Sequence, residues 1–272
     1  MATAHTVYIT GGSSGIGLAL AERYARAGDN LVLLARNQAR LDTAVQGLRV
    51  ITASAQQIVV GVSLDVSDTA ALPSAMAKIA QQYGLPDVLI LSAGDGVNAR
   101  FLDTPASEFE RLMTVNFIGS RELARAALPD MLQRKAGHIV FISSMAGIFG
   151  IYGYTAYAAS KFAVRGLVES LQQEMYGSGV VISLICPGEV ATPMIAGESA
   201  GVLPQTRLLK DLAGTLRIDR AADLMFKAIS KRKALIIPGA LPQLMDWTHR
   251  HLPGVFRWAC RLVIAWAGRK GK

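Results

Sequence analysis

Short apolar runs rich in β-branched residues alternate along this chain with longer segments of helical periodicity. The runs predict seven strands, near Val7–Thr10, Leu31–Ala35, Ile58–Val62, Val88–Leu91, His138–Ile142, Val180–Ile185 and Leu235–Ile237. The longer segments predict helices near Ile16–Ala27, Gln38–Leu48, Thr69–Tyr83, Ser107–Arg134, Ala156–Met175 and Arg220–Ser230. This alternation is typical of an α/β doubly wound fold, a parallel sheet with helices on both faces. Ligands of such sheets bind beyond the carboxyl ends of the strands.

Composition favours one well-buried domain. Of 272 residues, 51% are apolar and 18% are charged, which excludes a disordered chain. We expect a single Rossmann-type domain over residues 1–240, followed by a helical tail over residues 241–272. No apolar run reaches the roughly 18 residues of a membrane span, and the first residues do not resemble a secretory signal. Cys186 and Cys260 are too few for a disulfide framework, so a cytoplasmic location is the simplest expectation.

A glycine-rich turn, residues 10–17, follows the first predicted strand and opens the first helix. Gly11 permits a tight turn, Gly15 lets the backbone approach a pyrophosphate, and Gly17 allows close helix packing. The alternative is a tight loop without a ligand. The strand before the turn and the helix after it favour dinucleotide binding.

The end of the second predicted strand indicates which dinucleotide is bound. No carboxylate stands where the ribose 2′-hydroxyl of NAD would be held, whereas Arg36 and Arg40 can meet a 2′-phosphate. The sequence therefore predicts NADP rather than NAD. The alternative is that both arginines are ordinary surface charges.

Tyr157 and Lys161 are four residues apart in a predicted helix, so they lie on one face of it. An ammonium beside a phenol favours the phenolate and lowers a phenol pKa that is otherwise about 10. A tyrosine in this setting can exchange a proton near neutral pH.

These two residues occur together with further motifs in a fixed order. The glycine turn comes first, followed by Ala93-Gly94, Asn116, Ser143-Ser144, Tyr157 with Lys161, and Cys186-Pro187-Gly188 continuing to Thr192. On these residues, over roughly positions 5–240, the chain closely resembles the short-chain dehydrogenase/reductase family. Ser92 departs from the asparagine that the family usually has there, which affects local hydrogen bonding more than chemistry.

The resemblance implies a catalytic set of four residues, Asn116, Ser144, Tyr157 and Lys161. Ser144 would polarise the substrate carbonyl, Tyr157 would give the proton, and Lys161 would tune the phenol and hold the nicotinamide ribose. Asn116 would anchor a water that links Lys161 to solvent, although it could instead brace a helix. Ser143 would be structural.

The resemblance also implies a cofactor-binding set. Asp65 and Val66 would lie beside the adenine, and Thr192 would contact the nicotinamide carboxamide. The full set is Gly11, Ser13, Ser14, Gly15, Ile16, Gly17, Arg36, Arg40, Asp65, Val66, Ala93, Gly94, Tyr157, Lys161, Pro187, Gly188, Val190 and Thr192. We expect no metal, because His249 and His251 have no third ligand in view. Cys186 is expected to be a buried apolar residue rather than a nucleophile.

Residues 191–216 correspond to a substrate lid in the family, and their side chains predict an apolar lining. The lining residues are Met194, Ile195, Val202, Leu203, Leu208, Leu209, Leu212 and Leu216. Residues 141–147, 155–167 and 206–208 resemble the 3-ketodihydrosphingosine reductase branch, which implies NADPH-dependent reduction of a lipid-like ketone. A steroid, a retinoid or a 3-oxoacyl thioester remains an alternative substrate, and a non-catalytic NADP-binding regulator is an alternative function.

The tail is strongly basic. Residues 205–272 contain 14 Lys and Arg against 4 Asp and Glu, within a chain of net charge +8. Between residues 255 and 267 the sequence is apolar apart from Arg257 and Arg261, which lie about 40° apart around a helix. Such a helix can lie on an anionic membrane surface or pack on another subunit, since the family generally forms dimers or tetramers. Both alternatives stand, with peripheral attachment at the cytoplasmic face of a membrane as the first. Nucleic acid is not expected, because no reading motif is present.

Overall fold

The fold is built on a seven-stranded, fully parallel sheet in the order β3-β2-β1-β4-β5-β6-β9. The computed structural model describes residues 4–198 and 201–270. The sheet strands are β1 (Thr6–Thr10), β2 (Asn30–Ala35), β3 (Val59–Ser63), β4 (Val88–Leu91), β5 (Gly137–Ile142), β6 (Val180–Ile185) and β9 (Leu235–Ile236). A separate parallel pair joins β7 (Glu189–Val190) to β8 (Thr215–Leu216). The doubly wound prediction and its seven strands are confirmed.

Eleven α-helices connect and cover these strands within the described residues. They are α1 (Gly15–Ala27), α2 (Gln38–Arg49), α3 (Leu72–Tyr83), α4 (Ala106–Met113), α5 (Gly119–Arg134), α6 (Thr155–Glu174), α7 (Pro193–Glu198), α8 (Pro204–Ala213), α9 (Ile218–Ser230), α10 (Ala240–His251) and α11 (Pro253–Lys270). Helices α1, α2 and α9 bury apolar side chains on one face of the sheet, and α3, α5 and α6 cover the other. Because both faces are covered, the central strands are mostly apolar and are almost fully buried.

The segment predicted as one helix, Ser107–Arg134, differs from the prediction. A single wide π-helical turn, Thr114–Ile118, separates α4 from α5. Such a turn holds one extra residue and re-aims the side chains within it, which is why it often occurs at functional sites. Here it directs Asn116 into the protein interior, where only 1% of the residue is exposed.

The predicted tail corresponds to α10 and α11. Helix α11 packs against α8 and α10. Phe256 reaches the main core, with its ring centroid 4.7 Å from that of Phe149. The tail therefore lies over the lid region at the carboxyl ends of the strands.

Helix α8 of the lid is anchored to the body by buried polar contacts. The fully buried Thr206 donates to the Tyr152 carbonyl at 2.7 Å and accepts from Asn98 Nδ2 at 3.1 Å. The Asn98 amide oxygen also accepts from the Leu203 N–H at 2.8 Å. These contacts fix the start of α8 relative to the loop after β4.

Candidate active site

The glycine turn connects β1 to α1 with backbone in close contact on both sides. Gly11 has a φ of +65°, and its N–H donates to the Leu34 carbonyl at 2.8 Å. A Cβ at Gly17 would lie 2.5 Å from the Gly11 carbonyl oxygen, so a larger residue there would displace α1. The turn leaves a cradle of bare backbone at the carboxyl end of β1.

Helix α1 points its amino end at the same crevice. Its first turn contains no acidic residue, and no side chain among the described residues caps it at Ser14. Unpaired N–H groups and the helix dipole both favour an anion at such a position. The cradle and the helix end together fit the pyrophosphate of a nicotinamide dinucleotide.

Charged side chains surround the ends of β2 and β3. Asp65 accepts hydrogen bonds from the Ser67 N–H at 2.9 Å and from its hydroxyl at 2.7 Å. Burial acts to raise the pKa of Asp65, but these bonds and the charge of Arg36 hold it below its usual value. Arg36 and Arg40 are exposed to solvent. Arg40 lines a separate cleft together with Ser13 and Asn37.

Helix α6 carries Tyr157 and Lys161 one turn apart. The Lys161 ammonium donates to the Ile142 carbonyl at 3.1 Å and lies 5.6 Å from the centroid of the Tyr157 ring. Only 4% of Lys161 is exposed, and this burial lowers the pKa of its ammonium to about 8. The lysine is thus held between the end of β5 and the phenol.

The two serines at the end of β5 have different surroundings. Ser143 is buried, and its hydroxyl donates to the Lys161 carbonyl at 3.0 Å, which joins β5 to α6. Ser144 is half-buried, and its hydroxyl oxygen accepts from the Ala146 N–H at 3.1 Å. Ser144 also lines the cavity described below. Ser143 lines the same cavity, but its hydroxyl is bound within the protein.

Asn116 lies behind Lys161 and holds several elements together. Its amide nitrogen donates to the Asp95 carbonyl at 3.0 Å and to the Ser160 hydroxyl at 2.9 Å. Its amide oxygen accepts from the Asp95 N–H at 2.8 Å. A Cβ at Gly94 would lie 3.0 Å from that oxygen and 3.3 Å from Lys161 Nζ, so both groups face one side of Gly94. The bracing role considered from the sequence is therefore present in the structure.

One cavity of about 300 Å³, here called the central cavity, brings together predicted residues from five segments of the chain. Those lining it are Gly11, Ser14, Gly15, Ile16, Ala93, Gly94, Ser144, Tyr157, Lys161, Pro187, Gly188, Val190 and Thr192. Those outside it are Ser13, Gly17, Arg36, Arg40, Asp65, Val66 and Asn116. The cavity thus joins the glycine cradle to the tyrosine, the lysine and Ser144.

The rest of the central cavity is mainly apolar and is formed by the lid and the tail. Of the predicted lid residues, Met194, Ile195 and Leu209 line it, whereas Leu212 is exposed. Four tail residues also line it and were not predicted from the sequence: Pro242, Met245, Cys260 and Ile264. Cys260 and Ile264 lie one helical turn apart, and this apolar spacing is a pattern that could have indicated an inward face.

The described residues contain neither a candidate metal cluster nor a helix able to span a membrane. No group of three or more His, Cys, Asp or Glu side chains is placed to hold a metal ion. Across residues 4–198 and 201–270, no helix is both long and apolar enough to cross a bilayer.

Comparison with known proteins agrees with this geometry. Residues 5–202 match the model of the short chain dehydrogenase family. A bovine (Bos taurus) 3-ketodihydrosphingosine reductase is 36% identical over 225 residues, which cover 82% of this chain and 68% of the relative. A Burkholderia phymatum short chain dehydrogenase/reductase solved with NAD superposes with a TM-score of 0.80 at 28% identity, covering 93% of this chain and 95% of the other. A short-chain dehydrogenase from Sphingobium yanoikuyae solved with NADPH superposes with a TM-score of 0.76 at 30% identity, covering 92% of this chain and 95% of the other.

The family match spans well over half of the chain, and the fold agrees with that of solved family members. Both solved relatives hold a nicotinamide dinucleotide, the class of cofactor that the cradle and the α1 amino end fit. The chain therefore belongs to the short-chain dehydrogenase/reductase family and is an NAD(P)-dependent oxidoreductase.

Proposed function

We propose that this chain is an NADPH-dependent reductase of a long-chain lipid ketone of the 3-ketodihydrosphingosine type. The observation that carries the proposal is the central cavity, which joins Ser144, Tyr157 and Lys161 to an apolar chamber walled by the lid and the tail. A cavity with a few polar groups at one end and apolar walls at the other suits a ketone on an aliphatic chain. The name of the bovine relative supports this substrate class.

The reaction we propose adds one hydride and one proton to the carbonyl. NADPH, when bound, supplies the hydride to the carbonyl carbon. Tyr157 gives its phenolic proton to the developing alkoxide, and Ser144 donates a hydrogen bond to the same oxygen. Lys161 favours the phenolate that remains and binds the nicotinamide ribose. Asn116 does not contact the substrate. It positions a water molecule, from which Lys161 passes a proton back to Tyr157.

The cofactor would lie along the carboxyl ends of the central strands. Its pyrophosphate would contact Ser14, Gly15 and Ile16, and its nicotinamide would lie near Thr192. A preference for NADPH over NADH is part of the proposal and depends on Arg36 and Arg40, which can bind a 2′-phosphate.

The activity is tested with NADPH oxidation by the purified protein against 3-ketodihydrosphingosine, a steroid ketone, a retinal and a 3-oxoacyl thioester. We expect a strong preference for the sphingoid ketone, and no turnover by Tyr157→Phe despite retained NADPH binding. Preference for another carbonyl would replace the substrate class, and normal turnover by Tyr157→Phe would overturn the catalytic assignment.

The cofactor preference is tested with Arg36→Asp. We expect the ratio of kcat/KM for NADPH to that for NADH to fall about tenfold or more, the scale of one charge-assisted contact. The matched control is Lys78→Asp, which makes the same charge change at an exposed position of α3. An unchanged ratio for Arg36→Asp would refute the role of Arg36.

We further propose that the tail rests on an anionic membrane surface at the cytoplasmic face. The outer side of α11 carries an exposed stripe of Val255, Trp258, Leu262 and Trp266, here called the tail stripe. Exposed arginines border it at Arg257, Arg261 and Arg269. Helix α10 adds exposed apolar side chains at Leu241, Leu244 and Trp247. Apolar and tryptophan side chains flanked by arginine suit the interface of an anionic bilayer.

Vesicle flotation tests this surface with the double variant Trp258→Glu and Leu262→Glu. We expect wild type to bind phosphatidylglycerol vesicles and the double variant to lose binding. Tyr176→Glu is the matched control, because Tyr176 is 93% exposed and lies outside the tail. If the double variant instead lowers the molar mass measured by light scattering, the tail stripe is a contact between copies of this chain.

A further inference from the structure

Three segments of the chain meet where the lid helix α8 contacts the body of the protein. The residues that meet are here called the lid joint: Asn98, Gly153, Leu203 and Thr206. Asn98 lies in the loop after β4, Gly153 lies shortly before α6, and the other two lie at the amino end of α8. Thr206 is fully buried, and its hydroxyl donates to the Tyr152 carbonyl at 2.7 Å.

Asn98 uses its whole side-chain amide in this joint. The amide nitrogen donates to the Gly153 carbonyl at 3.2 Å and to the Thr206 hydroxyl at 3.1 Å, and the amide oxygen accepts from the Leu203 N–H at 2.8 Å. Hydrogen bonds have restricted lengths and directions, so a buried network of them selects one arrangement of its parts. The joint therefore sets the position of α8 on the body more narrowly than apolar packing would.

Gly153 allows the three segments to approach this closely. Its φ is +77°, and a Cβ at this position would lie 2.8 Å from both Asn98 Nδ2 and Thr206 Oγ1. Only glycine suits both the backbone conformation and the space. The loop after β4 is joined to the same glycine through the Ala99 N–H, which donates to the Gly153 carbonyl at 2.8 Å.

The lid joint lies beside the turn that carries Tyr157. Helix α6 begins two residues after Gly153, and Tyr157 belongs to its first turn. One turn beyond Thr206 along α8, Lys210 Nζ donates to the Tyr154 hydroxyl at 3.2 Å, and the Tyr154 ring centroid is 5.5 Å from that of Tyr157. Helix α8 thus holds the start of α6 at two successive turns. It also lines the central cavity with Leu209, Lys210 and Ala213.

We infer that Thr206 is a positioning residue, whose hydroxyl docks α8 on residues 152–154 and so holds Tyr157 in its reacting position. This inference deepens the proposed function and rests on it for the reaction. Thr206 lies outside the central cavity and acts through the Tyr152 carbonyl and Asn98. Displacing a reacting group by about 1 Å can lower a rate about 100-fold, so a small shift of α6 is enough to be measured.

Steady-state kinetics with NADPH and 3-ketodihydrosphingosine test the inference. Thr206→Val keeps the shape of the side chain and removes its hydroxyl, whereas Thr206→Ser keeps the hydroxyl. We expect kcat of Thr206→Val to fall about tenfold or more with an unchanged Kd for NADPH, and Thr206→Ser to stay close to wild type. The matched control is Thr248→Val, because the Thr248 hydroxyl bonds only within α10, to the Leu244 carbonyl at 2.8 Å.

A purely structural threonine would give a different pattern. Thermal melting of each variant accompanies the kinetics, which are measured well below the melting temperature. If Thr206→Val melts earlier but keeps the kcat of wild type, the joint only stabilises the fold and the inference is overturned. A raised KM with an unchanged kcat also overturns it, because the lid would then have moved without moving Tyr157.

Amide hydrogen exchange keeps the test independent of turnover. We expect Thr206→Val to speed exchange in residues 203–213 and in residues 152–160 together, with no change in residues 30–49. Faster exchange in residues 203–213 alone overturns the link to Tyr157. A wild type that reduces none of the four carbonyls, with this exchange pattern present, contradicts the proposed function alone.

Discussion

Lys161 lies beside the Tyr157 ring, and its burial lowers the stability of the folded protein. Its ammonium is almost fully buried, donates to the Ile142 carbonyl and has a pKa lowered to about 8 because burial disfavours the charge. A lysine of this kind costs stability wherever it is charged in the folded protein, since the unfolded chain solvates the same charge freely. Its retention beside Tyr157 is therefore better explained by chemistry than by folding.

Lys161→Met should stabilise the cofactor-free protein while abolishing reduction. The folded pKa of about 8 lies below the ordinary 10.5, so the unfolded chain binds more protons between these values. The cost is fully present below pH 8 and disappears as the pH rises toward 10.5. We expect a gain of about 1–2 kcal/mol at neutral pH, after the lost hydrogen bond is counted. Urea unfolding at several pH values measures it, and a variant less stable than wild type at neutral pH would contradict the argument.

Helix α11 has one face toward the protein interior and one face exposed to solvent. Phe256, Cys260 and Ile264 are directed toward the core or the central cavity, whereas Trp258 and Leu262 belong to the exposed tail stripe. Substitutions on the two faces of α11 therefore test the proposed substrate contact and the proposed surface binding separately.

Ile264→Trp should shorten the substrates that the enzyme accepts. Ile264 lines the central cavity, so a larger side chain there would reduce its apolar volume, and overfilling a packed site costs about 1–3 kcal/mol. We expect kcat/KM for a long-chain ketone to fall about tenfold or more, with a smaller loss for a short-chain ketone. The control is Leu262→Trp, at a position that is 50% exposed on the outer face of the same helix. Equal losses in both variants would show that Ile264 does not limit chain length.

Across the whole molecule, the end of the sheet remote from the active site also carries a buried titratable group. His138, at the start of β5, shares a 2.7 Å hydrogen bond with Ser183, whose hydroxyl donates to the Lys233 carbonyl. Burial, assisted by the positive charge of Arg232, lowers the pKa of His138 to about 4. The imidazole is thus neutral and donates from Nε2 to the serine oxygen.

Acid should unfold the protein partly through His138. The ordinary pKa of histidine is 6.5, whereas that of His138 in the folded protein is about 4. Between these pH values the imidazole is protonated in the unfolded chain but not in the folded protein, so stability falls as the pH falls. We expect this residue to account for about 2–3 kcal/mol of the loss. His138→Gln should flatten the pH dependence in that range, as measured by urea unfolding near pH 7 and near pH 4.5. An unaltered slope would assign the acid sensitivity to other groups.

Much of this architecture could be predicted because its determinants are local. Parallel strands buried on both faces are continuous apolar runs, and the glycine turn and the Tyr157–Lys161 spacing lie within single segments. The π-helical turn at Thr114–Ile118 could not be predicted, because it accompanies tertiary contacts of Asn116 with Asp95 and Ser160. The presence of Glu189, Lys210 and Ile264 in the cavity likewise depends on distant segments meeting, which periodicity does not report.

The order in which the ribosome makes these parts has a consequence. The glycine turn, Tyr157 and Lys161 are synthesised well before α11, which supplies a wall of the central cavity. A nascent chain that ends before Pro253 can already contain the cofactor cradle, but its apolar chamber is open to water. Because domains fold as they emerge, the Rossmann part would fold first. The protein could then reduce an apolar ketone only after α11 has been synthesised and has closed the chamber. A fusion partner or affinity tag is therefore better placed ahead of β1 than behind α11.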